Sequence, residues 1–294
     1  MRVYKAILVF FCIVFPVIAF AEKAKTIDEL AKMYDSSRCK SCHAEIYAQW
    51  EKSHHARPLM GVADGLMLVP VVKASAFTPK DPKQATLKNF PCVKCHLPQA
   101  LISAEDSVAA ELSEALLAGD KVKVGKLQIT CIVCHNEKAI VHRLQEGNPE
   151  KNVIYGTKNI DSHPDKTFTK VKKSVIMTQA IYCGQCHGTG PNFEFENPVQ
   201  CATLYGSYQH SYIPQGGFQT CQECHMPMVN GKADHLIAPN WNDKNDSSAR
   251  LSKAINLDVQ TLGYQWLRKA GALTPMVVVN TKISHTAGHR IPDG

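Results

Sequence analysis

The chain has 294 residues, a formal net charge of +7, 12 cysteines and 13 histidines. Its hydrophobic content of 45% excludes an intrinsically disordered protein, which combines low hydrophobicity with high net charge. Its length also excludes the small secreted domains that disulfides hold together, so the cysteines need another explanation.

The first residues have the pattern of a secretory signal peptide. Arg2 and Lys5 form a basic region, Ala6 to Phe20 is apolar, and Ala19-Phe20-Ala21 is a small-residue cleavage site. The rival interpretation is an uncleaved membrane anchor, but the apolar run is shorter than the roughly 20 residues that a spanning helix needs. We therefore predict that residues 1–21 are removed and that the mature protein is periplasmic or extracellular.

Ten of the cysteines form five copies of one pattern, Cys-x-x-Cys-His. The copies are Cys39, Cys42 and His43; Cys92, Cys95 and His96; Cys131, Cys134 and His135; Cys183, Cys186 and His187; Cys221, Cys224 and His225. This pattern is the attachment signature of c-type haem. The two thiols can each bond to one haem vinyl group, and the next imidazole then reaches the iron as the proximal ligand.

Two other uses of this cysteine spacing are a zinc site and a redox dithiol. Neither explains a histidine directly after every second cysteine. The sequence therefore predicts five covalently bound haem c groups, each containing one iron.

Haem also changes the meaning of the positive charge. Loss of Arg2 and Lys5 lowers the formal charge from +7 to +5. Each haem brings two propionates, only partly offset by its ferric iron, so the oxidised holoprotein is close to neutral. We therefore expect no nucleic-acid partner, in spite of an isoelectric point near 8.7.

Several stretches resemble the multihaem cytochromes c related to hydroxylamine oxidoreductase and to its tetrahaem electron-acceptor cytochrome. They are Trp50-x-x-Ser53-x-His55 after the first motif, Ile160 to Pro164, Cys221 to Pro227 followed by His235, and Ala287 to Gly294 around His289. The resemblance covers essentially the whole mature chain and is weak between these stretches. It implies that His55, His235 and His289 are distal iron ligands.

Two further histidines complete a set of distal ligands. His163 precedes a proline, which favours an extended segment, and His142 lies about two helical turns after His135 if that segment is helical. The predicted distal ligands are His55, His142, His163, His235 and His289.

The remaining candidates stay open. His54 competes with His55 for the same site, and His285 is ambiguous because it lies four residues before His289. His210 lies off the pattern and fits a haem edge or the solvent better. Cys201 could be an axial thiolate, an intermolecular disulfide partner or a plain buried thiol, and we expect the last.

The chain departs from its apparent relatives in two ways. It has no Cys-x-x-Cys-Lys site, so the lysine-ligated catalytic haem of pentahaem nitrite reductases has no counterpart. Relatives continue with β-strands after the turn around His289, so we expect residues 274–294 to be the start of a truncated C-terminal β segment. Residues 22–273 would form the pentahaem domain.

Local patterns predict helices over Asp28 to Tyr34, Ala44 to Ala56, Ser103 to Ala118 and Ala249 to Lys269. Ser103 and Asp106 resemble a capping box, Gly119 is a stop signal, and Thr274 to Asn280 is predicted to form a strand.

About 55 residues per haem are too few for separate domains, so the haems are expected to share one core. The expected fold is a mainly α, loop-rich multihaem cytochrome c fold with little β structure except a C-terminal strand.

Closely packed haems indicate electron transfer. The expected partners are redox proteins, a quinol-oxidising or substrate-oxidising enzyme on one side and a terminal reductase on the other. The alternative is an enzyme in which one haem keeps an open position for a small nitrogen or sulfur oxyanion. A third hypothesis is a haem filament of stacked subunits. No catalytic residue is assigned, and peripheral membrane association and oligomerisation stay open.

Overall fold

The structure is a computed structural model that describes residues 22–60, 66, 81–90, 92–137, 147–188, 203–237, 243–267 and 271–291. The predicted signal peptide, His142 and Cys201 lie outside these residues. Within the described ranges, no helix has both the length and the apolar character needed to cross a bilayer.

Short helices joined by irregular segments make up most of the chain before residue 250. The α-helices are α1 (Ile27–Met33), α2 (Ala44–Lys52), α3 (Val93–His96), α4 (Ala100–Ser103), α5 (Asp106–Ala118), α6 (Lys121–Val124), α7 (Ala180–Gly184), α8 (Leu204–Ser207), α9 (Cys221–His225) and α10 (Lys244–Ala254). The 3-10 turns are Ser37–Ser41, His54–Ala56, Pro82–Gln84, Ile176–Thr178 and Ile213–Gln215, and the π turns are Val133–Glu137 and Tyr208–Tyr212.

The strands form three separate pairs. They are β1 (Val153–Gly156), β2 (Lys170–Lys173), β3 (Met228–Val229), β4 (Lys232–Ala233), β5 (Ile255–Leu267) and β6 (Leu273–His285). Strands β1 and β2 are parallel, whereas β3–β4 and β5–β6 are antiparallel hairpins. Asn230 and Gly231 form the β3–β4 turn, both with positive φ, which is the conformation that a two-residue hairpin turn requires.

Helix α5 lies at the centre of an apolar core. Val108, Leu112 and Leu116 recur at intervals of four residues, so they lie on one face of the helix, and all three are buried. Ile27 and Leu30 of α1 belong to the same cluster. The helix stops as predicted at Gly119, whose φ of +72° suits glycine.

The predicted start of α5 was wrong. Ser103 ends α4 instead of capping α5, and its hydroxyl lies 2.7 Å from the hydroxyl of Tyr34. Asp106 is already inside α5, and its carboxylate accepts a hydrogen bond from the Leu87 amide at 2.8 Å. Long-range partners for both side chains therefore displace the local capping box.

The predicted helix over Ala44 to Ala56 is interrupted at Ser53, whose ψ of 160° is extended. Helix α2 ends at Lys52, and His54 and His55 follow in a separate 3-10 turn. The indole of Trp50 donates to the Ile129 carbonyl at 3.0 Å, which fixes the end of α2. By contrast, α1 agrees with its prediction to within one residue.

The predicted helix over Ala249 to Lys269 was wrong beyond Ala254. From Ile255 the chain forms β5, which pairs with β6 in register from Ile255 opposite His285 to Leu267 opposite Leu273. The predicted strand over Thr274 to Asn280 is confirmed inside β6. Gly263 would cost about 1 kcal/mol inside a helix, and the valine-rich β6 supplies a strand partner that no local pattern reveals.

The β5–β6 hairpin exposes large apolar side chains on both strands, among them Trp266, which is 60% exposed, and Val277, which is 69% exposed. The hairpin also crosses the boundary predicted between residues 273 and 274.

The buried apolar side chains of the described chain all lie between Ala24 and Ala180. Side-chain packing of the ordinary kind is therefore concentrated in the first part of the molecule.

Replacing Leu112 by alanine should lower the free energy of unfolding by about 2–5 kcal/mol, because the site is 1% exposed and would leave a cavity. Denaturant unfolding of the holoprotein, followed by circular dichroism, measures the change. Val122→Ala is the control, since Val122 is 78% exposed and should shift stability by less than about 0.5 kcal/mol. Equal effects of the two variants would contradict a core centred on α5.

Candidate haem-binding site

Each Cys-x-x-Cys-His motif lies on a helical turn. In three motifs the histidine amide donates to the carbonyl of the first cysteine, at 2.9 Å for His43, 3.0 Å for His96 and 3.0 Å for His187. The motif at Cys221 is helix α9, and that at Cys131 runs into the π turn over Val133–Glu137. A single helical turn brings two thiols and an imidazole toward the same side, as covalent haem attachment requires.

The ten motif cysteines are all free thiols. They are Cys39, Cys42, Cys92, Cys95, Cys131, Cys134, Cys183, Cys186, Cys221 and Cys224. A thioether to haem needs a thiol that no disulfide has consumed, so all ten are chemically available. In the described part of the chain, no three His, Cys, Asp or Glu side chains are grouped as a site for a lone metal ion.

The five motifs form one connected cluster. Thiols of different motifs lie close enough to perturb one another's pKa: Cys39 of the first motif interacts with Cys131 of the third, and Cys95 of the second with Cys186 of the fourth. Cys183 of the fourth motif interacts in the same way with Cys221 of the fifth.

The third motif also reaches the fourth, because the hydroxyl of Tyr182 donates to the Cys134 carbonyl at 2.7 Å. The fourth motif therefore contacts the second, third and fifth, and occupies the middle of the cluster.

Four motif histidines each face a second histidine that belongs to no motif. Between ring centroids, His43 lies 6.4 Å from His163, His55 lies 6.1 Å from His187, His135 lies 6.2 Å from His235, and His225 lies 6.1 Å from His289. Plain aromatic contacts span a similar range, about 4.5–7 Å. They do not explain why every pair joins one motif histidine to one non-motif histidine.

The spacing fits an iron atom between the two rings. Two imidazoles on opposite sides of one metal ion, each with a metal–nitrogen bond of about 2.0 Å, have centroids roughly 6.3 Å apart. All four pairs lie within about 0.2 Å of that separation. The residues present therefore fit haem iron, whose role when bound is to accept and release single electrons.

Hydrogen bonds orient most of these rings. The Nδ1 atom of His135 lies 2.8 Å from the Tyr155 carbonyl, and that of His235 lies 2.8 Å from the Ala233 carbonyl. Those of His163, His289 and His96 lie 2.7, 2.9 and 2.5 Å from the carbonyls of Phe168, Arg290 and Pro58, respectively. Because a carbonyl only accepts, each Nδ1 carries the proton, and a neutral ring then leaves its Nε2 lone pair free for a metal.

Burial keeps several rings neutral. It lowers the pKa of His55 to about 3, and it also lowers the pKa of His96, His135 and His235. Neutral imidazole is the form that binds iron. Around neutral pH these four rings are therefore in the ligating state without any prior loss of a proton.

Hydrogen bonds from the backbone amides hold two of the predicted distal histidines. The His163 amide donates to the Thr169 carbonyl at 2.7 Å, so the loop before β2 folds back on itself. The His235 amide donates to Gln49 Oε1 at 3.0 Å, which ties the segment after the β3–β4 hairpin to α2. The position of His235 thus depends on a part of the chain that is distant in sequence, whereas His163 is held by its own loop.

Of the five predicted distal ligands, His55, His163, His235 and His289 lie opposite motif histidines, and their role as ligands stays a prediction. His142 lies outside the described residues, so its predicted role is untested. His54, His210 and His285 are not among the paired rings. Of the two neighbours that competed for one site, it is His55 that faces a motif histidine.

His96 differs from the other four motif histidines. Among the described residues no second histidine ring faces it, although the Pro58 carbonyl holds its Nδ1. The described structure thus places a second imidazole opposite the histidine of four motifs and none opposite that of the second motif.

Sequence reasoning missed the carbonyl groups that orient the rings. Pro58, Tyr155, Phe168 and Ala233 act through their backbones, and any residue type could do so. It also missed Gly184, inside the fourth motif, where a side chain would overlap the Tyr205 ring. The glycine within that motif was the one available signal.

Comparison with known protein families gives a match over part of the chain. Residues 38–136, about a third of the chain, match the sequence profile of the family described as cytochrome c554 and c-prime. The matched segment contains the first three haem motifs and His55. No curated protein and no solved structure matches the chain significantly. Over this segment the chain is similar to c-type cytochromes, and the similarity supports a c-type cytochrome that carries electrons.

Proposed function

We propose that the chain is a multihaem c-type cytochrome that carries five haems and relays electrons between redox proteins outside the cytoplasm. The proposal rests on the four facing histidine pairs. In each pair the two ring centroids are separated by the distance expected for two imidazoles bound to opposite sides of one iron atom. An iron with two axial imidazoles changes oxidation state with little rearrangement of its ligands, which favours electron transfer over substrate binding.

The contacts between motifs support a relay. A path from the first motif through the third and fourth to the second or fifth uses only neighbours that touch through cysteine or tyrosine groups. With a haem attached at each motif, an electron that enters at one end would reach the other by steps between neighbouring motifs.

The partners follow from this role. A quinol-oxidising or substrate-oxidising enzyme would supply electrons, and a terminal reductase would receive them. The finer resemblance to hydroxylamine oxidoreductase and its acceptor cytochrome agrees with such a position in a chain of redox proteins. The predicted signal peptide agrees with export.

An enzyme with one open haem is the second candidate. His96 favours it, because the described residues supply no histidine opposite that ring. A haem attached at Cys92 and Cys95 with a free distal position could bind a small nitrogen or sulfur oxyanion. If His142 is the second axial ligand of that haem, the distal position is filled and the protein only carries electrons.

Electron paramagnetic resonance of the oxidised holoprotein, with haem number checked by intact mass, separates the two candidates. The electron-carrier proposal expects five haems, all low-spin. One high-spin haem would make the enzyme the better proposal, and fewer than five haems by mass would overturn the pentahaem assignment.

Replacing His163 by alanine should turn one low-spin haem into a high-spin haem, because the iron facing His43 loses its second imidazole. The absorption and electron paramagnetic resonance spectra measure the change. His285→Ala is the matched control, since His285 is exposed and belongs to none of the facing pairs. An unchanged low-spin spectrum in His163→Ala would remove His163 from the ligand set.

Replacing His142 by alanine should create one high-spin haem if the conductor proposal holds, since His142 is then the ligand opposite His96. His210→Ala is the control, because His210 is exposed and should leave every haem low-spin. A wild-type protein with one high-spin haem that His142→Ala does not alter would contradict the conductor and support the enzyme.

A further inference from the structure

The four facing pairs differ in the hydrogen bonds to their rings. In the His135–His235 pair, both Nδ1 atoms lie 2.8 Å from backbone carbonyls. In the His55–His187 pair, the Nδ1 atom of His55 is buried without a hydrogen-bond partner, and no acceptor is described for His187. The two pairs therefore differ at both rings.

A hydrogen bond from Nδ1 to a carbonyl makes the imidazole a stronger electron donor to the metal. Stronger donation stabilises ferric iron more than ferrous iron and so lowers the reduction potential. By this effect, the haem between His135 and His235 is easier to oxidise than the haem between His55 and His187.

A carboxylate acts in the same direction. Asp234 directly precedes His235, so its carboxylate lies close to that ring and interacts with it electrostatically. The Asp234 side chain is held in place because its Oδ1 accepts a hydrogen bond from the Leu236 amide at 2.8 Å. A negative charge beside a haem favours the ferric state, which carries one more positive charge.

Resting on the proposed electron-carrier function, we propose that these differences set a direction for electron flow. The haem between His55 and His187 has the highest potential of the four histidine-paired haems, and the haem between His135 and His235 has a lower one. Electrons therefore pass from the third motif to the fourth, which are neighbours through Tyr182 and Cys134. The fourth motif also contacts the second and fifth, so it collects electrons before they leave.

The step is a single electron transfer. The haem iron at His135 goes from ferrous to ferric, the haem iron at His187 goes from ferric to ferrous, and no bond or proton changes place. The electron originally comes from the partner that reduces the protein, or from dithionite in the experiment below.

The ring planes give the central haem its own spectroscopic signature. The planes of His55 and His187 cross at 74°, whereas the other pairs have interplanar angles of 7°, 28° and 17°. Crossed imidazole planes leave two iron d orbitals close in energy, which gives a low-spin signal with one large g value. Nearly parallel planes give the ordinary rhombic signal instead.

The test is a dithionite titration of the intact wild-type holoprotein, monitored by electron paramagnetic resonance at controlled potentials. As the potential falls, the large-g signal should be lost before the rhombic signals of the other paired haems. Loss of a rhombic signal before it would overturn the proposed order. Absence of low-spin haems altogether would instead refute the proposed function, so the two failures are distinguishable.

A variant without the Asp234 charge tests which haem has the lower potential. Asp234→Asn keeps the side-chain oxygen but removes the charge, and it should raise the midpoint potential of one rhombic low-spin haem while leaving the large-g signal unchanged. Asp258→Asn, on the exposed β5 strand, is the control and should move none. A shift of the large-g signal alone, or no shift of any rhombic signal, would contradict the placement of the lower potential at His235.

His55→Ala should abolish the large-g signal, and His163→Ala should abolish a rhombic one. The reverse result would overturn the assignment. If His55→Ala does not mature, the wild-type titration still tests the order.

Discussion

The proposed electron carrier depends on one geometric requirement, that an imidazole must lie on each side of a haem at the length of an iron–nitrogen bond. One imidazole comes from the same helical turn as the two thiols and is therefore encoded locally. The other arrives from a distant part of the chain, as His163 does for His43 and His289 does for His225. Backbone carbonyl groups in loops and turns then hold these second rings in position, as Phe168 does for His163.

The local half of this arrangement could be predicted from the sequence, because the Cys-x-x-Cys-His spacing is itself the geometry of one helical turn. The second rings at His55, His235 and His289 were suggested by resemblance, since no periodicity identifies a residue that acts across a hundred positions. The orienting carbonyls had no signal at all. Strand β5 was mistaken for a helix, because Ile255, Val259 and Trp266 fit a helical stripe while their strand partners lie beyond a turn.

The first and second parts of the chain are stabilised by different interactions. Around α5, apolar side chains such as Leu112 and Leu116 are packed as in any small domain. From Thr203 onward, no described apolar side chain is buried, and ring pairs and hydrogen bonds to the backbone provide the order. Covalent haems would supply the missing apolar contact surface there, so attachment of haem and completion of the fold are coupled in the second part.

The four histidine pairs interlace along the chain. In sequence, the first histidine of each pair precedes the second histidine of the pair before it. The pairs join residues 43 and 163, 55 and 187, 135 and 235, and 225 and 289. With iron bound, every peptide bond between His43 and His289 is therefore spanned by at least one coordinated link. A protease that nicks a surface loop would leave the pieces joined, and they would separate only after a competing ligand displaced the axial histidines.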